Sequence, residues 1–255
     1  MSAAVRKAVI PMAGNGTRFR PITHVVPKDF LPLVNKPLFH YMLDELVAAG
    51  CDEVVCVVHP ARDFVTPYIK AVPFPLNITL AYQEQAAGLG HAVGCAAQQI
   101  GDDYFFVLLP DVIIDAEPNV SAQLQSAHER CGRGVIALRP EPEEKLSRYG
   151  VADVSARDGA LVTLRTLVEK PPTGTAPSNL TIVGRYLLPP QTMQYIAETK
   201  PGALGEIQLT DALRRIAQHD GLFGWIETER AMFDSGTPPG WLAANAYFAN
   251  KLGVK

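Results

Sequence analysis

Two glycines, a hydroxyl and a guanidinium follow an apolar run near the start of this chain, in Val9-Ile10-Pro11-Met12-Ala13-Gly14-Asn15-Gly16-Thr17-Arg18. Glycines let the main chain come close to an anion and turn its N–H groups toward the oxygens. Arg18 carries a planar fork of donors that matches phosphate oxygens. Lys28, after Pro27, adds a second cation. The chemistry suggested is the handling of phosphates. The spacing is not that of a P-loop, which needs four residues between its glycines and then Gly-Lys-Ser/Thr; here Asn15 alone lies between them. Nor is it a dinucleotide fingerprint, whose third glycine would fall at Phe19. Taken alone, the loop is equally well a glycine-rich turn after a first strand.

Acids that could serve such a loop stand further on. Leu108-Leu109-Pro110-Asp111 sets a carboxylate at the end of an apolar run, and Met232-Phe233-Asp234-Ser235-Gly236 sets another before a glycine turn. Either is a good hard-oxygen ligand for Mg2+, which beside nucleotides takes one or two carboxylates and completes its shell with phosphate and water. Asp111 could instead be a simple loop or cap acid. Val168-Glu169-Lys170-Pro171-Pro172 joins an acid and a base to two prolines that stiffen the chain. Glu169 could accept from sugar hydroxyls and Lys170 could meet a phosphate, although a surface ion pair is the commoner outcome for such a dipeptide. In Gln83-Glu84-Gln85-Ala86-Ala87-Gly88-Leu89-Gly90-His91, Gln83 has the donor and acceptor that suit a pyrimidine edge, and the glycines leave room for a flat ring. A glycine-rich helix entry is the plainer alternative. His91 is assigned no role. There is no G-x-S-x-G elbow and no cysteine nucleophile with a local base.

These residues need a scaffold. Strand-like and helix-like patterns alternate through the first half: strands over 7–13, 53–58, 76–82 and 104–109, helices over 37–49, 61–71 and 89–100. Such alternation argues a parallel sheet with helices on both faces. Ligands in such sheets sit at the carboxyl ends of strands, where the glycine loop, residues 83–90 and Asp111 all fall. Beyond Asp111 the pattern reads as a helix over 121–131, a strand over 134–139, a hairpin of 150–154 with 161–168, a strand over 181–188, and helices over 206–219 and 239–251. The expected fold is a Rossmann-like three-layer α/β/α arrangement with a mixed, mostly parallel central sheet. One domain over 1–255 is expected, with a nucleotide-binding half near 1–115 and a sugar-binding half near 116–255.

Composition narrows the partners. The 255 residues are 47% hydrophobic, enough for a sizeable core, and the net charge of −3 announces no nucleic-acid partner. Cations for a polyanionic ligand must therefore be placed locally. The start lacks the apolar core of a signal peptide, and no apolar run is long enough for a membrane span. Cys51, Cys56, Cys95 and Cys131 show no CxxC or zinc spacing, which fits a reducing cytoplasm.

In order along the chain, Ala8–Arg18, Pro27-Lys28-Asp29-Phe30-Leu31-Pro32-Leu33, Gly88-Leu89-Gly90-His91-Ala92, Leu109-Pro110-Asp111-Val112-Ile113, Val168-Glu169-Lys170-Pro171, Ser178-Asn179-Leu180, Val183-Gly184-Arg185-Tyr186 and Glu206-Ile207-Gln208-Leu209-Thr210-Asp211 resemble the bacterial UTP–glucose-1-phosphate uridylyltransferases, a branch of the sugar-1-phosphate nucleotidyltransferases. The resemblance covers nearly the whole chain. It implies transfer of a uridylyl group from UTP to glucose 1-phosphate, with Mg2+ as cofactor. It implies that Ala13, Gly14, Gly16, Thr17 and Arg18 surround the nucleotide phosphates, and that Gln83 and Gly88 read the uracil. It implies that Asp111 and Asp234 bind the metal, that Gly150, Glu169 and Glu206 touch the sugar, and that Lys170 holds its phosphate. Arg18, Lys28 and Lys170 become the catalytic cations, and a homo-oligomer, dimer or tetramer, is expected. The chain departs from the family pattern after Asp234, where Asn-Lys-x-Gly is usual and Thr237-Pro238-Pro239-Gly240 stands. Asp234-Ser235-Gly236-Thr237 is similar to the thymidylyltransferase branch. That branch, another sugar-1-phosphate nucleotidyltransferase and a non-catalytic regulatory paralogue are the alternatives.

Overall fold

A computed structural model describes residues 4–202, 205–227 and 231–254 of the chain. The first half runs β1 (Lys7–Pro11), β2 (Pro32–Leu33), β3 (Lys36–Pro37), α1 (Leu38–Ala48), β4 (Glu53–Val58), α2 (Val65–Ala71), β5 (Asn77–Tyr82), α3 (Leu89–Gly94), α4 (Ala97–Ile100), β6 (Phe105–Leu108) and β7 (Val112–Asp115). The second runs α5 (Val120–Cys131), β8 (Gly134–Pro140), α6 (Glu143–Leu146), β9 (Gly150–Asp158), β10 (Leu161–Glu169), β11 (Leu180–Leu188), α7 (Gln191–Glu198), α8 (Leu209–His219), β12 (Leu222–Ile226), β13 (Ala231–Asp234) and α9 (Pro238–Lys251).

The main sheet has the order β5-β4-β1-β6-β11-β8-β12-β10-β9. Its first four strands are parallel, so their carboxyl ends open on one edge. β11 then enters antiparallel to both β6 and β8, while β12 runs parallel to β8. Strand residues alternate between two apolar clusters, as the pleat requires. Ala8, Ile10, Val54, Cys56, Phe106 and Leu108 face the cluster that includes Leu43 and Leu46 of α1, Leu124 of α5 and Phe248 of α9. Val9, Val55, Val57, Phe105 and Val107 face the other, which includes Val93, Ile196, Leu213 and Ile216. Helices thus cover both faces, giving the three layers expected from the sequence.

Two features beyond the main pattern set the site. The β9–β10 hairpin has register irregularities between Thr163 and Leu164 and between Leu164 and Thr166. Such irregularities bend a strand, and the far end of the hairpin returns to the sheet where Val151 pairs with Thr181 of β11. The second feature is a separate antiparallel ribbon of β7 with β13, in which Val112 pairs with Asp234. The sequence patterns did not single out β7 or β13. Each is four residues long and forms only by pairing with a partner more than a hundred residues away, so no local periodicity marks it.

Three helix limits differ from the sequence reading. The helix expected over 61–71 begins at Val65, after Asp63 accepts a hydrogen bond from Thr66 N–H at 2.9 Å. The one expected over 89–100 divides into α3 and α4. The one expected over 206–219 begins at Leu209, because residues 206–208 lie extended against the Gly88 loop.

Candidate active site

At the end of β1 the chain leaves the sheet as residues 12–16, with Gly16 in the left-handed region (φ 58°) as cap of a short 3-10 turn, Thr17–Phe19. Phe19 is buried and anchors the loop, while Gly14, Thr17 and Arg18 remain exposed. Thr23 donates to Gly16 O at 2.8 Å, and Arg62 donates to Asn15 Oδ1 at 2.9 Å, so both flanks of the loop are tied down. Neither Thr23 nor Arg62 was marked by the motif pattern.

Asp111 follows Pro110 past the end of β6, and its turn is pinned from below by Arg185 of β11. The Arg185 side chain is fully buried and ion-paired with Glu45 of α1 at 2.9 Å. Its guanidinium also donates to Leu109 O at 3.2 Å and to Val112 O at 2.8 Å, on either side of Pro110-Asp111. Asp111 pairs with Lys28. Burial works to raise the Asp111 pKa, but the Lys28 charge and hydrogen bond outweigh it, and the carboxyl is held below its usual range. Burial likewise works to lower the Lys28 pKa, but the charges of Asp111 and Asp29 raise it. Asp29, fully buried and without a hydrogen-bond partner for either side-chain oxygen, is pushed up to about 7 by that burial.

The β7–β13 pairing sets Asp234 beside this turn. A Cβ placed on Gly236 would stand 2.7 Å from Asp111 Oδ2 and 3.1 Å from Asp234 Oδ1. The two carboxylates therefore converge on one small space that only a glycine leaves open. Among the described residues no group of three or more acidic, histidine or cysteine side chains could hold a metal. Two hard oxygens converging beside a phosphate loop fit a divalent cation that fills the rest of its shell with phosphate and water.

The remaining residues line adjoining parts of one cleft. A cavity of about 440 Å3 is walled by Ala13, Gly14, Gly16, Gln83, Gly88 and Asp111, among others. A second, of about 570 Å3, shares Gly14, Gly16, Thr17, Lys28, Asp111 and Glu206 with it and continues to Arg18, Gly150, Glu169 and Lys170. A third, of about 560 Å3, runs on from Arg18 and Lys170 to Asp234 and Thr237. At the first end Gly88 adopts φ 101°, and any Cβ there would stand 2.5 Å from Ile207 O. The extended 206–208 segment is clipped against it by Ile207 N–H to Ala87 O at 2.8 Å and Gly90 N–H to Ile207 O at 2.9 Å. Glu206 reaches the cleft from this segment and accepts from Gln208 at 2.9 Å.

At the other end, Glu169 closes β10 opposite Gly150 of β9. Thr210, in the first turn of α8, donates to Glu169 Oε2 at 2.6 Å and steadies it. Lys170 lies 3.5 Å from Glu169 and has φ 45°, an uncommon conformation for a side chain of this kind. The backbone bond from its N–H to Tyr149 O at 3.0 Å and the following prolines hold it so. Both readings of Glu169-Lys170 are thus present: an ion pair, and one that faces the cleft. Arg148, Tyr149 and Thr210 also line it. Arg148 and Tyr149 stand in none of the motifs, and Thr210 stands in the 206–211 motif without a role of its own; they enter just before the hairpin and at the start of α8 rather than from the parallel strands. The departure at Thr237-Pro238-Pro239-Gly240 has a local explanation: Thr237 Oγ1 caps α9 by accepting from Gly240 N–H at 3.3 Å, with proline opening the helix.

A glycine loop, two cations and two converging acids at the carboxyl edge of a three-layer sheet define an α/β enzyme that works on phosphates. The chain belongs to the nucleotidyl transferase family, which it matches over residues 7–251. It is 36% identical to the UTP–glucose-1-phosphate uridylyltransferase of Bacillus subtilis, covering 96% of this chain and 91% of that protein. The solved structure of a UDP-glucose pyrophosphorylase complexed with UDP-glucose superposes with a TM-score of 0.92 at 32% identity, covering 97% of this chain and 99% of that one. A UTP-bound enzyme of the same kind from Acinetobacter baumannii gives 0.84 at 31% identity, covering 97% and 94%.

Proposed function

We propose that this protein transfers a uridylyl group from UTP to glucose 1-phosphate, giving UDP-glucose and pyrophosphate. A phosphate oxygen of the sugar attacks the α-phosphorus of UTP, and the bond to the bridging oxygen of pyrophosphate breaks. No protein nucleophile takes part. What the protein contributes is alignment and the offsetting of negative charge. The backbone of Ala13, Gly14 and Gly16, with Thr17 and Arg18, surrounds the nucleotide phosphates. Lys28 meets the charge that grows on them. Lys170 holds the sugar phosphate, while Gly150, Glu169 and Glu206 contact the sugar and Gln83 and Gly88 the uracil. Asp111 and Asp234 hold Mg2+, which when bound supplies further positive charge to the phosphate oxygens. Residues 1–115 then serve mainly as the nucleotide half and 116–255 as the sugar half of one domain.

The observation that carries this reading is the convergence of Asp111 and Asp234 on the Gly236 space, midway along a cleft with Gln83 at one end and Glu169 at the other. The similarity at 36% identity to a named uridylyltransferase supports uracil as the base. We place the protein in the cytoplasm: its four cysteines are unpaired, and among the described residues no helix is long and apolar enough to cross a membrane. We also propose a homo-oligomer, dimer or tetramer; α9 carries the exposed Leu242 on its surface, and Leu252 just beyond its end is exposed too. The test of function incubates the pure protein with Mg2+, glucose 1-phosphate and each nucleoside triphosphate in turn, and measures pyrophosphate. Release chiefly with UTP is expected. Release chiefly with dTTP would move the protein to the thymidylyl branch, and release with none would leave a non-catalytic binding protein.

A further inference from the structure

His91 stands in the first turn of α3, and the reaction proposed above gives it no task. Its surroundings do. The side-chain amide of Gln83 is buried, at 4% exposure, and lines the cavity at the base end of the cleft. Its Nε2 lies 3.2 Å from Gly88 O and 2.8 Å from His91 Nδ1. A carbonyl oxygen only accepts, so the Gly88 contact requires the nitrogen of the amide, not its oxygen, to face that way. The nitrogen has two hydrogens, and the second is the one directed at His91. His91 Nδ1 must therefore be the accepting, unprotonated nitrogen of the ring, with the proton on Nε2. Both donors of Gln83 are then spent inside the protein. Among the described residues its Oε1 makes no hydrogen bond, so Gln83 offers the cleft an acceptor and nothing else.

From this we infer that His91 is a positioning residue for base selection: it locks the Gln83 amide so that only a ring carrying an N–H at its N3 position is received. Uracil and thymine carry that N–H. Cytosine has a lone pair there, which would face the lone pairs of Oε1. The lock has two parts of different kinds. The Gly88 carbonyl is fixed by a backbone that admits no side chain, with φ 101° and Ile207 O 2.5 Å from any added Cβ. The His91 acceptor is a side chain and can be removed. Without it, one Nε2 hydrogen loses its partner inside the protein, and the amide is released to turn its nitrogen toward a ring that lacks the N3–H. The Cys95 thiol also lies near the His91 ring, 3.9 Å from Nδ1.

This inference rests on the reading of Gln83 as the base contact, and binding separates the two. Affinities for UTP, dTTP and CTP are measured by titration calorimetry with Mg2+ on the wild type, His91→Phe and His91→Asn, alongside turnover with glucose 1-phosphate. In the wild type UTP and dTTP should bind more tightly than CTP. His91→Phe keeps the ring volume but removes the acceptor, and should narrow the UTP-to-CTP ratio by roughly tenfold, about the worth of one hydrogen bond. Its UTP-to-dTTP ratio should not move, since both bases present the same N3–H. The Oδ1 of asparagine stands near the place of His Nδ1, so His91→Asn should restore the ratio. A structural role alone would weaken all three nucleotides together and leave the ratios unchanged, and that result, or a wild type that does not prefer UTP to CTP, overturns the inference. Should His91→Phe fail to fold, His91→Ala carries the same expectation. A wild type that binds UTP selectively but releases no pyrophosphate would sink the proposed reaction and leave the role of His91 intact.

Discussion

At the scale of single residues, the cleft is a set of charges whose states depend on one another. Lys28 sits between Asp111 and Asp29, with Nζ 3.9 Å from the latter. Asp29 is fully buried. Keeping a buried carboxyl there has a cost that pH reveals. The pKa of Asp29 is raised from 3.8 to about 7, first by burial. A carboxyl whose pKa rises on folding favours the folded chain fully below its unfolded value, and that contribution is lost as pH climbs through the folded value. The stability owed to Asp29 therefore falls between about pH 4 and 7. Asp29→Asn, which has no charge to bury, should melt higher than the wild type at pH 8, by about 2–4 °C for each kcal/mol relieved, with a smaller gain at pH 5. Calorimetric melting at the two pH values checks this; an equal gain at both would contradict it. Lys170→Ala is expected to lower kcat by roughly a hundredfold with the UTP affinity nearly unchanged, because the lost charge acts on the sugar phosphate in the transition state. Steady-state kinetics beside UTP calorimetry would show it, and near-normal turnover would remove Lys170 from the site.

At the scale of elements, the Asp111 turn is placed by buried side chains behind the cleft. Arg185 of β11 ties α1 to the Asp111 turn through Glu45, Leu109 O and Val112 O. Glu45 in turn accepts from Ser121 Oγ at 2.6 Å, joining α5 to the same network. Removing one partner of a buried pair leaves an uncompensated charge, which costs about 3–5 kcal/mol. Arg185→Met should accordingly lower the unfolding free energy by about that amount in urea titrations, and the double variant with Glu45→Met should recover part of it. The sequence pattern contained Val183-Gly184-Arg185-Tyr186 as a motif without a reason for it; the reason is this buttress. At the other end of the cleft, Gly88→Ala would force the 206–208 segment away from the loop. UTP affinity should fall by at least about tenfold while the melting temperature moves less, since the collision is with the extended segment and not with the core.

At the scale of the whole molecule, the metal is expected to serve the reaction and not the fold. The two carboxylates lie at the edge of the sheet, outside both apolar clusters. Chelation by EDTA should abolish pyrophosphate release while leaving the melting temperature within about 1 °C, and UTP with Mg2+ at a hundred times its Kd should add about 2.7 kcal/mol of stability. Differential scanning fluorimetry with and without chelator distinguishes this from a structural metal, whose removal would lower the melting temperature steeply.

The sequence by itself determined the parallel half of the sheet and the residues at its carboxyl edge. Alternating apolar runs are a local signal, and the glycine loop, Gln83, Gly88 and Asp111 follow those runs closely in the chain, while Lys28 was legible from its motif after Pro27. Glu169 and Lys170 were legible for the same reason, at the end of a hairpin strand. Only the tertiary structure decided what meets these residues. Asp234 reaches Asp111 through a ribbon of two four-residue strands too short to leave a period. Tyr149 and Arg148 reach the cleft just ahead of a bent hairpin that folds back onto β11, and Thr210 reaches it from the first turn of α8. His91 reads as an ordinary helix residue until its ring nitrogen is seen beside the Gln83 amide. Local periodicity records which face of an element is buried, but it carries no record of which distant element covers that face, and in this protein the acids, the sugar end and the base lock all depend on that second choice.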